Sequence, residues 1–275
     1  MVAKKKSKTS PRKKQGKRSS KRPTILVTND DGITAPGLIA LVDTMKTIGD
    51  VLVVAPDSPQ SGMGHAITLE KPLRLDEVSV HGEVLGYQCS GTPVDCVKLA
   101  VKQILRRKPD LCVSGINHGS NSSINVIYSG TMSAAMEGAI EGIPSIGFSL
   151  NNYSLNADMK ASCKVAKQIV NKVLLHGMPV NTLLNVNIPD LPLSKIKGIK
   201  VCRQATARWE ENFQERTDPR KRKYFWLTGE FIVQDKGDDT DEWALKNGYV
   251  SLVPVLFDFT AHHATQFLNG IKWDI

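Results

Sequence analysis

Thr24-Ile-Leu-Val-Thr-Asn-Asp-Asp-Gly32 is the stretch on which the fold turns. Its first five residues are apolar or β-branched with no polar alternation, as in a strand covered on both faces. The run then breaks into two adjacent carboxylates and a glycine. Pro36 and Gly37 open a helix that carries Leu38, Leu41, Val42 and Met45 on one face. VLVVA (51–55) is a second buried strand, ended by Pro56.

The same alternation continues downstream. Helical spacing predicts helices over 95–107, 131–142 and 157–175, and apolar runs predict strands over 111–113, 145–149 and 183–188. Strands separated by helices imply an α/β fold with a doubly wound, mostly parallel sheet over residues 24–190. Residues 191–275 mix aromatics with shorter β-like runs and read as hairpins and an extended arm suited to subunit contacts. No run of apolar residues is long enough to cross a membrane, and no apolar leader stands at the N-terminus, so the expected location is the cytoplasm. Five cysteines without a CxxC pair argue for thiols in a reducing compartment.

The formal charge of +9 comes from one end. Residues 1–23 contain eleven Lys and Arg and no acid, so the remainder is slightly acidic. Such a segment buries too little to offset its ordering entropy and is expected to be a disordered tail. Its charge allows nonspecific contact with nucleic acid, while the rest of the chain has no basic stripe.

Ligands of open α/β sheets bind at the carboxyl ends of the strands. Three strands deliver oxygen-rich, glycine-containing loops to that edge. The first ends in Asp30-Asp31-Gly32, the second leads to Ser61-Gly62, and the third runs through Ser114-Gly-Ile-Asn117-His-Gly-Ser-Asn121. Two crowded carboxylates repel each other unless one takes a proton or a cation lies between them. Asp30, Asp31, the Ser61 hydroxyl and the Asn117 amide oxygen are hard donors that suit Mg²⁺ or Mn²⁺. Taken alone, Asn-Asp-Asp-Gly is equally a turn or a helix cap. Tyr128-Ser129-Gly130-Thr131 opens a helix whose free N–H groups favour a phosphate, with simple capping as the alternative.

These residues fall into ordered blocks: TNDDGITAPG (28–37), VVAPDSPQSG (53–62), SGTPVDC (90–96), SGINHGSN (114–121), YSGTMSAAMEG (128–138) and LNVNIP (184–189). The series resembles the SurE family of stationary-phase survival proteins, and TDEWALKNGYVSLVPV (240–255) extends the likeness toward the C-terminus. The resemblance implies a Rossmann-like core with a C-terminal oligomerisation arm, in a homodimer or homotetramer. It implies hydrolysis of 5′- and 3′-nucleoside monophosphates, in some members of short polyphosphate, with one Mg²⁺ or Mn²⁺ per subunit. Carried onto this chain, the metal ligands are Asp30, Asp31, Ser61 and Asn117, and Asn121, Ser129, Gly130 and Thr131 line the phosphate site. The pattern departs from the family's at His118, Ser120 and 122–125. Asp30 or Asp31 is the candidate base for an attacking water, direct attack by an aspartate is the alternative route, and His118 and His262 are the candidate acids. A dinucleotide-dependent oxidoreductase is disfavoured because no GxGxxG follows the first strand.

Overall fold

The computed structural model describes residues 22–82 and 84–273. The basic segment expected to be a disordered tail lies, up to Lys21, outside the described residues. Arg22 is anchored by hydrogen bonds to the carbonyls of Lys46 and Gly49.

Strand β1 (Thr24–Thr28) is buried along its whole length and lies in the middle of the main sheet. Helix α1 (Pro36–Lys46) follows it with Pro at its start and buries Leu38, Leu41, Val42 and Met45. β2 (Asp50–Pro56) pairs parallel to β1. β3 (Leu75–Val80) and β4 (Val84–Cys89) form an antiparallel pair, with β4 parallel to β2. Sequence periodicity passed over this pair, because LDEVSV carries exposed acids and VLGYQC breaks its apolar run with Gly, Tyr and Gln. Helix α2 (Pro93–Leu99) begins earlier than its apolar spacing suggests, because Thr92 and Asp95 form a reciprocal capping box ahead of it. It continues as a π-helical turn over residues 100–105 and stops at Arg106, which is left-handed.

β5 (Leu111–His118), α3 (Gly130–Ile140), β6 (Ser145–Leu150), α4 (Lys160–His176) and β7 (Thr182–Ile188) complete the parallel part. The sheet does not stop at residue 190. β8 (Ile199–Val201) and β11 (Val250–Leu256) continue it, with β11 antiparallel to β7 and parallel to β8. The full order is β3-β4-β2-β1-β5-β6-β7-β11-β8. Between β8 and β11 the chain leaves the sheet as a hairpin, β9 (Ala207–Thr217) with β10 (Lys223–Val233), and α5 (Asp241–Lys246) leads it back. Helix α6 (His262–Asn269) follows β11.

Successive residues of β1 point to opposite faces. Ile25 and Val27 join the core under α1 and α4, while Leu26 joins the core with Val97 of α2 and Ala134 of α3. Helices therefore cover both faces, which is the doubly wound arrangement expected from the alternating pattern. No helix among the described residues is long and apolar enough to cross a membrane.

Glu137 of α3 is buried, and its two oxygens meet Lys98 Nζ at 2.6 Å and His65 Nε2 at 3.1 Å. Burial alone would raise its carboxyl, but His65 and Lys98 hold it below the usual glutamate value of 4.5. Its folded-state pKa is thus below the unfolded one, so its contribution to stability is full above that value and is lost as pH falls below it. Glu137→Gln is expected to cost about 2 kcal/mol at neutral pH, since both partners are partly exposed. Urea unfolding of both proteins at pH 7 and pH 4 checks this, with the difference shrinking at the lower pH.

Candidate active site

The chain leaves β1 toward β2 on one side and, after β4, crosses back to β5 on the other. β1 and β5 are hydrogen-bonded neighbours with Thr28 level with Ser114, so the strand order reverses between them. A crevice outside the carboxyl ends of the strands is expected at such a switch point. Asn29, Asp30 and Asp31 extend from β1 there, beside Gly115–Asn117 of β5. The pairing of β5 with β6 shifts register between Ser114 and Asn117, a bulge that re-aims the residues beyond it.

Close packing fixes the crevice walls. A Cβ on Gly37 would lie 2.0 Å from the Ile116 carbonyl oxygen, so α1 starts against the backbone of the bulge. A Cβ on Gly130 would lie 2.6 Å from the Asp30 Cβ, so the N-terminus of α3 is pressed onto that carboxylate. Glycine at these two positions is a requirement of approach, not of turn geometry.

Asp30 is buried and its carboxyl is pushed up to about 6, chiefly by burial. The Thr131 hydroxyl donates to it and pulls the other way, while the neighbouring Asp31 charge adds to the rise. Asp31 is half-buried and also raised by burial, with the ring and backbone of His118 opposing the rise. Ser61 is exposed on the loop after β2. That loop is drawn across the crevice by two bonds, Gln60 N–H to the Asp30 carbonyl at 2.7 Å and Gly64 N–H to the Tyr128 carbonyl at 3.2 Å. Asn117 donates its side-chain N–H to the Gly119 carbonyl at 2.8 Å, which leaves its amide oxygen to accept a cation.

The other expected residues are each held by bonds of their own. Ser129 caps α3 by accepting the Met132 N–H at 3.0 Å, and its own hydroxyl proton stays available to a phosphate. Thr131 spends its hydroxyl proton on Asp30, and its backbone also bears on that carboxylate. Asn121 is tied inward, donating to the Ser149 hydroxyl, while its backbone N–H donates to Asn187. Its carbonyl accepts from Asn185. His262 is exposed after β11 and bonded to Asp258, whereas His118 sits beside Asp31 with Nδ1 donating to the Ser154 carbonyl at 2.8 Å.

Reading for carboxylates passed over Asn29, although it stands in the same motif. Its side-chain N–H donates to the Gly32 carbonyl at 3.0 Å and shapes the turn, while its Oδ1 is buried without a partner. Thr28 Oγ1, Ser114 Oγ and His118 Nε2 are likewise buried and unpaired. Buried polar atoms are normally satisfied, so Asn29 Oδ1 just past β1 and His118 Nε2 at the end of β5 mark a place suited to polar ligands, while Thr28 and Ser114 are enclosed within the sheet. The donors facing the crevice are carboxylate, hydroxyl and amide oxygens. This set fits a hard divalent cation, and the crowding that raises both aspartates is what such a cation relieves.

Fold and site together define a doubly wound α/β protein with a polar, acid-floored crevice at its switch point. The sequence matches the family described as Survival protein SurE over residues 25–211. The 5′-nucleotidase SurE of Christiangramia forsetii is 64% identical over 257 residues, covering 92% of this chain and 98% of the relative. The protein of the same name from Chlorobium phaeobacteroides is 50% identical, covering 93% of this chain and 98% of the relative. The crystal structure of the SurE protein from Aquifex aeolicus superposes with a TM-score of 0.78 at 42% identity, covering 90% of this chain and 98% of that one. This chain belongs to the SurE family.

Proposed function

We propose that the chain is a divalent-cation-dependent phosphatase that hydrolyses nucleoside 5′-monophosphates to nucleoside and inorganic phosphate. The carrying observation is Asp30, with Asp31 next to it in the chain, held against the N-terminus of α3, since a dianionic phosphate needs both a cation and N–H donors. Relatives named 5′-nucleotidase, at up to 64% identity, support the phosphomonoester as the bond that is cleaved. Action on 3′-monophosphates and short polyphosphate rests on the family resemblance.

Asp30, Asp31, Ser61 and Asn117 would hold one Mg²⁺ or Mn²⁺ per subunit. Such an ion, when bound, neutralises phosphoryl charge and lowers the pKa of water. The chain's own residues do the rest. Asp30, oriented by the Thr131 hydroxyl, accepts the proton of the attacking water. The Ser129 hydroxyl and the backbone N–H groups opening α3 steady the phosphate oxygens as charge moves. Asp31 lies nearer the opening, beside His118, where the leaving nucleoside departs.

The five cysteines are free, which suits a cytoplasmic enzyme. Assembly as a homodimer or homotetramer would cover the exposed Phe213, Phe225, Trp226 and Leu227 of the β9–β10 hairpin. An isolated two-stranded hairpin is marginal in water, so these residues call for a partner surface.

The test is phosphate release from 5′- and 3′-monophosphates with Mg²⁺, with Mn²⁺ and with EDTA. Turnover that appears with the ion and disappears with EDTA is expected. Turnover indifferent to EDTA would overturn the cation requirement.

A further inference from the structure

We infer that the cavity lined by Tyr153, Trp209 and Glu242 receives the nucleobase of the substrate, with Tyr153 as its stacking platform and Glu242 and Asn125 at its edge. The inference rests on the phosphatase reading and names the part of the substrate that reading leaves unplaced.

The cavity has a volume of about 110 Å³ and lies beside the crevice rather than in it. Ser120, one of its walls, is three residues from Asn117. Successive Cα atoms are 3.8 Å apart, so the two positions are within about 11 Å. That matches the scale on which a nucleotide separates phosphate from base.

Tyr153 is 73% exposed yet held in place. A Cβ on Gly119 would lie 2.4 Å from its ring, so the ring rests directly on the backbone of the Asn117 loop. Two bonds knit the same segments together, His118 Nδ1 to the Ser154 carbonyl at 2.8 Å and Gly119 N–H to the Leu150 carbonyl at 2.9 Å. An exposed aromatic ring fixed in this way contributes little to the core but offers a π-face at a set distance from the phosphate site. Trp209 is fixed as well. Its indole N–H donates to Asn125 Oδ1 at 2.8 Å, and its ring packs on Phe231 with centroids 5.2 Å apart.

The polar edge has capacity left. Glu242 takes the Ser122 hydroxyl on Oε1, leaving Oε2 to accept a base N–H. Asn125 uses its oxygen on Trp209, which leaves its NH₂ to donate to a ring nitrogen or carbonyl. An N–H beside an acceptor is the pattern that a purine edge presents. Stacking favours the larger ring system, so purine nucleotides are the preferred class.

The experiment compares kcat/KM for AMP and for ribose 5-phosphate, which carries the phosphate but no base, in the wild type, Tyr153→Ala, Tyr153→Phe and Glu242→Gln. Loss of a base–aromatic stack should lower the AMP to ribose 5-phosphate ratio about tenfold in Tyr153→Ala. Tyr153→Phe should keep the wild-type ratio, and Glu242→Gln should lower it. A ratio unchanged by Tyr153→Ala, or a wild type that treats the two substrates alike, would overturn the inference. If neither substrate is hydrolysed, the phosphatase reading fails instead. Adenosine titration by calorimetry then decides the subsite alone: binding weakened about tenfold in Tyr153→Ala supports it, and equal or absent binding in both proteins overturns it.

Discussion

Asp30→Asn should reduce phosphate release by about 10³-fold while leaving the fold intact, because it deletes one charge from the group that must meet a cation and a proton. The substitution is isosteric, and an Asn oxygen can still accept the Thr131 hydroxyl. It also removes a carboxylate whose burial and whose neighbour Asp31 already push it toward protonation. Without added metal, the variant should therefore melt at the same temperature as the wild type or higher. Millimolar Mg²⁺ or Mn²⁺ should raise the wild-type melting temperature and have little effect on the variant, since an ion stabilises only the state that binds it. Thermal melts with and without the ion, beside the phosphate assay, separate a lost site from a lost fold. Full activity in Asp30→Asn would overturn its assigned role.

Gly37→Ala should have the largest effect on stability, a loss of at least about 3 kcal/mol. The new methyl would stand 2.0 Å from the Ile116 carbonyl oxygen; it is fixed directly to Cα and its neighbour is backbone, so no side chain can swing aside. Relief requires α1 to back away from β5 or the bulge to flatten. Either movement displaces Asn117, so residual folded protein should also release phosphate slowly. Denaturant unfolding of the variant measures the first effect and specific activity of its folded fraction the second. A control at Gly62, where a Cβ meets nothing within 4 Å, would carry only the strain of its left-handed backbone.

Much of this was legible in the sequence, for identifiable reasons. TILVT and VLVVA sit at the centre of the sheet, where both faces demand apolar side chains, so their pattern is unambiguous. Asp30 and Asp31 stood out only in combination, because Asn-Asp-Asp-Gly alone reads as a turn or cap and it was the meeting of three oxygen-rich loops at one sheet edge that singled them out. The strands toward either end of the sheet did not show. β3 and β4 compromise between core and solvent, and β11 was visible as a β-like run but not as part of the main sheet. Its partner β7 lies 64 residues away at the pairing of Ser251 with Asn187, and no local pattern encodes a contact at that range. Tyr153 was equally silent. One exposed tyrosine in a loop carries no signal until the fold lays it on Gly119.

That late pairing bears on synthesis at the ribosome. β7 is finished once residue 188 has emerged, but the strand that covers its outer side spans 250–256, after the entire hairpin excursion. A nascent chain halted between these points would display a naked strand edge with unpaired amides, the kind of surface on which growing polypeptides stick to one another. The closing segment must also find its slot by a long loop closure, a slow event compared with the local winding of α1 or α4. Chaperone demand during production should accordingly concentrate in the interval before residues 250–256 emerge.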